Sequence, residues 1–173
     1  EAERLLRRGL AIRERVFGQE HPEVAHSLHS LANHYQFQRK DFTRAEGLYE
    51  RALRMREQYY ERNSDRVAQT LNCIAALKRA QACAPAHLGS SRLISAHLVR
   101  TACFGFRSLI AAPPAQGHDQ RSEELYLETL SIRRELSGGR HSETQKTAAA
   151  LLRLYQKQGK SREAAQLKRD LSA

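Results

Sequence analysis

The side chains that could do chemistry in this 173-residue chain are few and poorly spaced for it. His26, His29 and His34 lie close together, and imidazole is a common metal ligand. Helical spacing puts only the first two on one ridge, and no carboxylate accompanies them. No metal site and no cofactor are expected. The three cysteines, Cys73, Cys83 and Cys103, are odd in number and form no CxxC pair. Neither a disulfide framework nor a zinc site follows from them. They fit a reducing, cytoplasmic setting. Glu46 with Arg51, and Glu57 with Arg62, have the spacing of solvated charged faces rather than acid–base pairs. A Gly-rich phosphate loop, an HExxH helix and a GxSxG elbow are all missing, so an enzyme is not expected.

Charge is the stronger signal. The formal net charge is +10, supplied mostly by arginine. Such a balance favours acidic partners, whether acidic peptides, nucleic acid or an anionic membrane surface, without choosing among them. The same arginines could simply decorate solvated helix faces. No recognition helix or aromatic-stacking motif accompanies them, so a nucleic-acid reading rests on charge alone.

The elements that must carry these residues follow from an internal repeat. Ala2-Glu3 through Ile12-Arg13-Glu14 returns as Ala45-Glu46 through Met55-Arg56-Glu57, at an offset of 43. Val24-Ala25, Leu28, Leu31 and Ala32 map by the same offset onto Val67-Ala68, Leu71, Ile74 and Ala75. A further offset of 77 takes Glu46, Leu48-Tyr49, Leu53 and Arg56 to Glu123, Leu125-Tyr126, Leu130 and Arg133. His21 and Tyr35 then fall on His141 and Tyr155. Within a copy, Val24, Leu28, Leu31, Ala32 and Tyr35 share one helical face, as do Ala45, Leu48, Tyr49, Ala52 and Leu53. His21-Pro22-Glu23 reads as a helix start. The spacing predicts helices over 2–17, 22–38, 43–60, 65–80, 120–137, 142–158 and 161–171, and no strand. The fold class is all-α, a solenoid of antiparallel helix hairpins that stack because one hairpin cannot bury its own apolar faces. The opening helix has no partner ahead of it, so Leu6 and Leu10 should be partly exposed. A chain that starts at Glu1 inside a helical pattern reads as part of a larger polypeptide.

One stretch breaks the pattern. Repeats occupy 1–81 and 117–173, and residues 82–116 belong to neither copy. Removing these 35 residues leaves an offset of 42, close to the first. The segment has no Lys, Asp or Glu and holds three of the four prolines. It reads as an irregular insertion, a loop or disordered segment, at the tight turn of the second hairpin. Lengthening that turn costs roughly 2 kcal/mol of closure entropy by the logarithmic rule, which a sound array can tolerate. Arg100 and Arg107 interrupt its apolar run, which argues against a membrane span.

Leu28, Leu31, Ala32 and Tyr35, then Ala45, Tyr49 and Ala52, resemble the two-helix signature of tetratricopeptide repeats. The longer string over residues 2–53, "AERLLRRGLAIRERVFGQEHPEVAHSLHSLANHYQFQRKDFTRAEGLYERAL", looks like the long repeat of kinesin light chains. The tyrosine position holds Lys78 in the second copy, a departure expected to weaken packing. The coiled coil by which kinesin light chains grip the heavy chain is not in this sequence. The resemblance implies a protein-interaction scaffold whose first helices line a concave peptide groove. Carried over copy by copy, the lining is His26, His29, Asn33 and Gln36; Gln69, Asn72, Ala76 and Arg79; and Lys146, Ala149, Arg153 and Gln156. None is acidic. The amides can hydrogen-bond an extended backbone, and the cations can pair with carboxylates. The implied ligand is a short acidic peptide. The alternative is a basic surface that binds nucleic acid or an anionic membrane without sequence specificity.

Overall fold

The computed structural model describes residues 1–83 and 116–172. Seven helices appear among them: α1 (Ala2–Phe17), α2 (Pro22–His34), α3 (Phe42–Tyr59), α4 (Asp65–Cys83), α5 (Gln116–Ser137), α6 (Ser142–Gln158) and α7 (Ser161–Ser172). No described residue is in a strand. Each helix packs on the next in chain order, which is the solenoid expected from the repeat. The expected helix bounds hold within a few residues. The exceptions are informative: α2 runs on as one π-helical turn, Tyr35–Arg39, and α4 and α5 extend toward the inserted segment from both sides.

Helix starts follow the repeat as well. His21 caps α2, its Nδ1 accepting from the Glu23 amide at 3.2 Å, and His141 caps α6 in the same way at 3.4 Å. At the equivalent position of the second copy Ser64 takes over, its Oγ accepting from the Val67 amide at 3.3 Å. Asp41 caps α3 through the Arg44 amide at 3.1 Å. Each satisfies a donor that the first helical turn would leave orphaned. At the other end, α6 stops on Gly159 with φ 72°, whereas the π-turn after α2 stops on Lys40 with φ 55°. A side chain is strained there and glycine is not.

The core is continuous along the stack. Leu31, Ala32 and Tyr35 of the first hairpin connect through Tyr49, Val67, Leu71 and Leu77 to Tyr126, Leu151, Tyr155 and Leu167. Burying a Leu or Tyr contributes roughly 1.5–3 kcal/mol before entropy, so these contacts dominate the stability of the array. Leu6 and Leu10 are half-buried against this core. Leu5, Ile12 and Val16 are exposed on the side of α1 away from Leu6 and Leu10, and Phe17 is exposed at its end.

Two polar contacts recur where a second helix meets the first helix of the following hairpin. Near one end an arginine, buried in α3 and α5, reaches a hydroxyl fourteen residues on. Arg56, 2% exposed, donates to Thr70 Oγ1 at 2.6 Å and to the Arg66 carbonyl at 2.8 Å. Arg133, 5% exposed, donates to Thr147 Oγ1 at 2.5 Å and the Glu143 carbonyl at 2.9 Å. Arg13 donates to Ser27 Oγ at 2.8 Å. Near the other end a glutamate meets the tyrosine position. Tyr35 donates to Glu3 at 2.8 Å, and Tyr155 hydrogen-bonds Glu123. Lys78, which replaces the tyrosine, forms an ion pair with Glu46, to which Gln81 also donates at 2.9 Å. The substitution thus exchanges one polar contact for another at the same joint. Burial raises the pKa of Glu46, but the hydrogen bonds from Lys78 and Gln81 outweigh it and hold the carboxyl below its usual range.

The second hairpin closes despite the inserted residues. α4 and α5 pack along their length, and Ser122 Oγ donates to the Ala75 carbonyl at 2.9 Å. Arg62 and Asn63, just ahead of α4, reach Glu128 (3.1 Å) and Glu135 (2.7 Å) on α5. The expected loop or disorder of 82–116 lies outside the described residues apart from its helical ends.

Candidate functional site

The first helices α2, α4 and α6 carry all ten candidate groove residues, with Gln36 in the π-turn. Their accessibility differs. On α2, His26 is exposed and Asn33 half-buried, but His29 and Gln36 are buried at 5% and 3%. Both buried residues serve the interior. The Tyr49 hydroxyl lies 2.7 Å from Gln36 Oε1 and 2.5 Å from Asn33 Oδ1. A phenol carries one proton, so one amide accepts it and the other turns its NH2 toward the oxygen. The His29 ring meets Tyr49 edge-on at 5.4 Å, and its Nε2 is 3.9 Å from Cys73 Sγ on α4.

This environment disfavours a charged imidazole. Burial first, then the nearby Arg56 and His26 charges, lower the His29 pKa to about 4. His29 is therefore neutral at physiological pH, and its Nδ1 has no hydrogen-bond partner. Cys73 is a free, half-buried thiol whose pKa burial raises, which makes it a small packing residue rather than a nucleophile.

On α4, Gln69 is exposed, Asn72 and Arg79 are half-buried, and Asn72 Oδ1 has no partner. On α6, Lys146, Arg153 and Gln156 are exposed. Lys146 pairs with Glu143 at 2.6 Å, and that hydrogen bond is the main cause of the lowered Glu143 pKa. Arg79 and Arg153 make no ion pair among the described residues. The accessible members of the set are thus two unpaired guanidiniums, one paired ammonium, amides and an imidazole.

None of the ten lines the open, mostly apolar pocket of about 510 Å³ between α1, α2 and α3, whose lining includes Leu10, Leu31, Leu48, Arg7 and Arg44. Among the described residues no three His, Cys, Asp or Glu side chains gather as a metal would require. No described helix is long and apolar enough to cross a membrane.

Sequence reasoning missed the internal use of His29 and Gln36, and the burial of Arg56 and Arg133. A signal for the arginines was present: each copy has a hydroxyl residue fourteen positions after the arginine, at Ser27, Thr70 and Thr147. No comparable signal separates His29 from His26, since both sit on the same ridge.

Family models described as tetratricopeptide repeat match residues 1–58 and residues 115–143. No curated protein sequence matches the chain. Among solved structures, the chain is similar to BtubC (BKLC) from P. vanneervenii, with a TM-score of 0.70 and 20% identity over 99% of this chain and 54% of that one. It is equally similar to a P. anserina protein described as a kinesin light chain with nearly identical TPR-like repeats, with TM-score 0.70, 20% identity and coverage of 99% and 64%. At such identities the likeness establishes the fold alone, and the chain spans little more than half to about two-thirds of those proteins.

Proposed function

We propose that this chain, a tetratricopeptide-repeat protein by the family models over residues 1–58 and 115–143, serves protein–protein interaction and holds a short acidic peptide on its first helices. The observation that carries this reading is the make-up of the accessible lining. It contains no carboxylate, and Arg79 on α4 and Arg153 on α6 have no ion pair among the described residues. A carboxylate ligand would gain charge-assisted hydrogen bonds from both. The exposed Gln69 and Gln156 and the half-buried Asn72 supply amides for the peptide backbone. His29 and Gln36 are buried, so the ligand meets α2 through the exposed His26 and the half-buried Asn33, whose Oδ1 is already engaged by Tyr49. Binding rather than catalysis, in a cytoplasmic setting, is the function proposed. The closed α4/α5 hairpin supports reading 82–116 as an insertion into one turn and not as a separate domain.

The test is fluorescence anisotropy with a labelled acidic, aromatic-containing peptide and a scrambled peptide of equal charge, at low and physiological salt. A reading groove binds the intended sequence more tightly at physiological salt and loses affinity several-fold in Asn72→Ala or Arg153→Ala. Equal binding of both peptides that vanishes with salt would favour the alternative, a generic basic surface for nucleic acid or anionic lipid.

A further inference from the structure

The open pocket between α1, α2 and α3 plays no part in the proposed groove. Leu10, Leu31, Tyr35 and Leu48 supply most of its lining, and Gly47 sits among them. A Cβ built on Gly47 meets no atom within 4 Å, so no packing contact in the array asks for glycine there. Glycine weakens a helix interior, and the positions that match Gly47 hold Glu124 in α5 and Gln166 in α7. A side chain of that length at position 47 would take up part of the pocket.

The charges of the pocket gather at one end. Arg7 donates to the Tyr35 hydroxyl at 2.6 Å, and the Arg44 guanidinium lies over the Tyr35 ring at 5.7 Å. Leu10 and Leu48 also pack on the cluster of Val24 and Leu28, further back along α2. Tyr35 and Leu31 are four residues apart, about 6 Å along a helix axis. Around Tyr35 three guanidiniums, Arg7, Arg39 and Arg44, stand against two carboxylates, Glu3 and Asp41. One positive charge is left over, and each guanidinium has more N–H donors than these contacts use. At the next joint the positions of Arg7 and Arg44 hold Glu50 and Arg121, and at the one after that Leu127 and Glu163, so the arginine pair belongs to this joint. The face itself stays open along the array. Glu50, Arg121 and Glu124 are exposed although a hairpin or helix pair stands on either side of their joint. The opening of the pocket therefore does not depend on what precedes α1.

We propose that this pocket is a second peptide site, which takes an extended segment of a partner protein carrying a leucine-sized side chain two residues from a carboxylate. In an extended chain such residues point to the same side and lie about 6.7 Å apart, which matches the spacing between the arginine end and the leucine floor. The apolar side chain lies on Leu10, Leu31 and Leu48, and the carboxylate accepts from Arg7 and Arg44. The missing side chain of Gly47 lets the peptide backbone come close to α3. A small-molecule pocket buries most of its ligand, whereas this open trough would leave much of a fatty acyl chain in water, so a peptide is the occupant its shape suits. Neither Arg79 nor Arg153 takes part, so the site stands whether or not the groove binds.

The test is titration of the isotopically labelled full chain, followed by NMR chemical shifts, with the blocked peptide Ser-Leu-Ser-Glu-Ser and with its reverse, Ser-Glu-Ser-Leu-Ser, for the other chain direction. The better of the two should bind at roughly 100 µM. It should shift Leu10, Leu31, Gly47 and Leu48, and weaken about tenfold when glutamine replaces its glutamate. Gly47→Gln, which installs the residue of α7, should melt no lower than the native chain yet weaken binding by roughly tenfold or more. Arg44→Gln should remove the preference for glutamate over glutamine, and Arg153→Ala should leave it intact. Three results overturn the proposal: no shifts at these residues with millimolar peptide, equal binding of the glutamate and glutamine peptides, or binding that Gly47→Gln leaves unchanged. Decanoate that binds more tightly than both peptides would assign the pocket to a fatty acid and overturn it too.

Discussion

His29 gives the chain an acid-sensitive joint between α2 and α4. The ring is buried against Tyr49 and Cys73, and its folded-state pKa is about 4 against an ordinary 6.5. The unfolded chain therefore binds the proton more readily than the folded one. Where that is so, stability rises with pH. The contribution is fully present above about pH 6.5 and is lost as pH falls toward 4. A difference of this size corresponds to about 1 kcal/mol lost by pH 5.5 and about 3 kcal/mol below pH 4. The perturbation is His29→Asn, which installs the residue found at the equivalent position, Asn72. Urea unfolding followed by circular dichroism at pH 8 and pH 5.5 gives both stabilities. The variant should start lower at pH 8, having lost the ring contacts, but should lose about 1 kcal/mol less than the native chain on going to pH 5.5. Equal losses in both proteins would refute the reasoning, because His29 would then titrate like an exposed imidazole.

Other expectations follow from the repeated joints. Thr70→Val leaves the Arg56 guanidinium short of a partner and should cost about 1–3 kcal/mol in chemical denaturation. Adding Arg56→Met should recover part of that loss, so that a double-mutant cycle shows strong coupling. Lys78→Ala should destabilise by about 1 kcal/mol through loss of the Glu46 contact. Lys78→Tyr should be nearly neutral by the same measurement, since Tyr35 and Tyr155 do that work in the other copies. Lys40→Gly relieves a left-handed side chain at the end of the π-turn and should raise the melting temperature, with a gain of up to about 1 kcal/mol. His21→Ala should cost about 1 kcal/mol of helix capping, whereas His21→Ser, which copies Ser64, should restore most of it.

Period and offset alone determined the helices, their order and most of the core. Val24, Leu28, Tyr49, Leu71, Tyr126 and Leu151 are buried where their helical faces put them. These features are local or nearest-neighbour, and a repeat states them several times over, so a single sequence is enough. The ligand-facing lining was legible only as a ridge. His26 and His29 occupy one ridge, yet one is exposed and the other buried, because the neighbouring helix covers only part of it. Which polar groups are used inside, as with Gln36 on Tyr49 or Arg56 on Thr70, depends on distances between helices that no spacing rule contains. The replacement of a tyrosine by Lys78 looked like a loss in sequence and became an exchange once Glu46 stood beside it. The exposure of Leu5 and Ile12 is likewise a tertiary fact. The same pattern is covered in α3 and α5, and only the presence or absence of a neighbour decides whether an apolar stripe is core or surface.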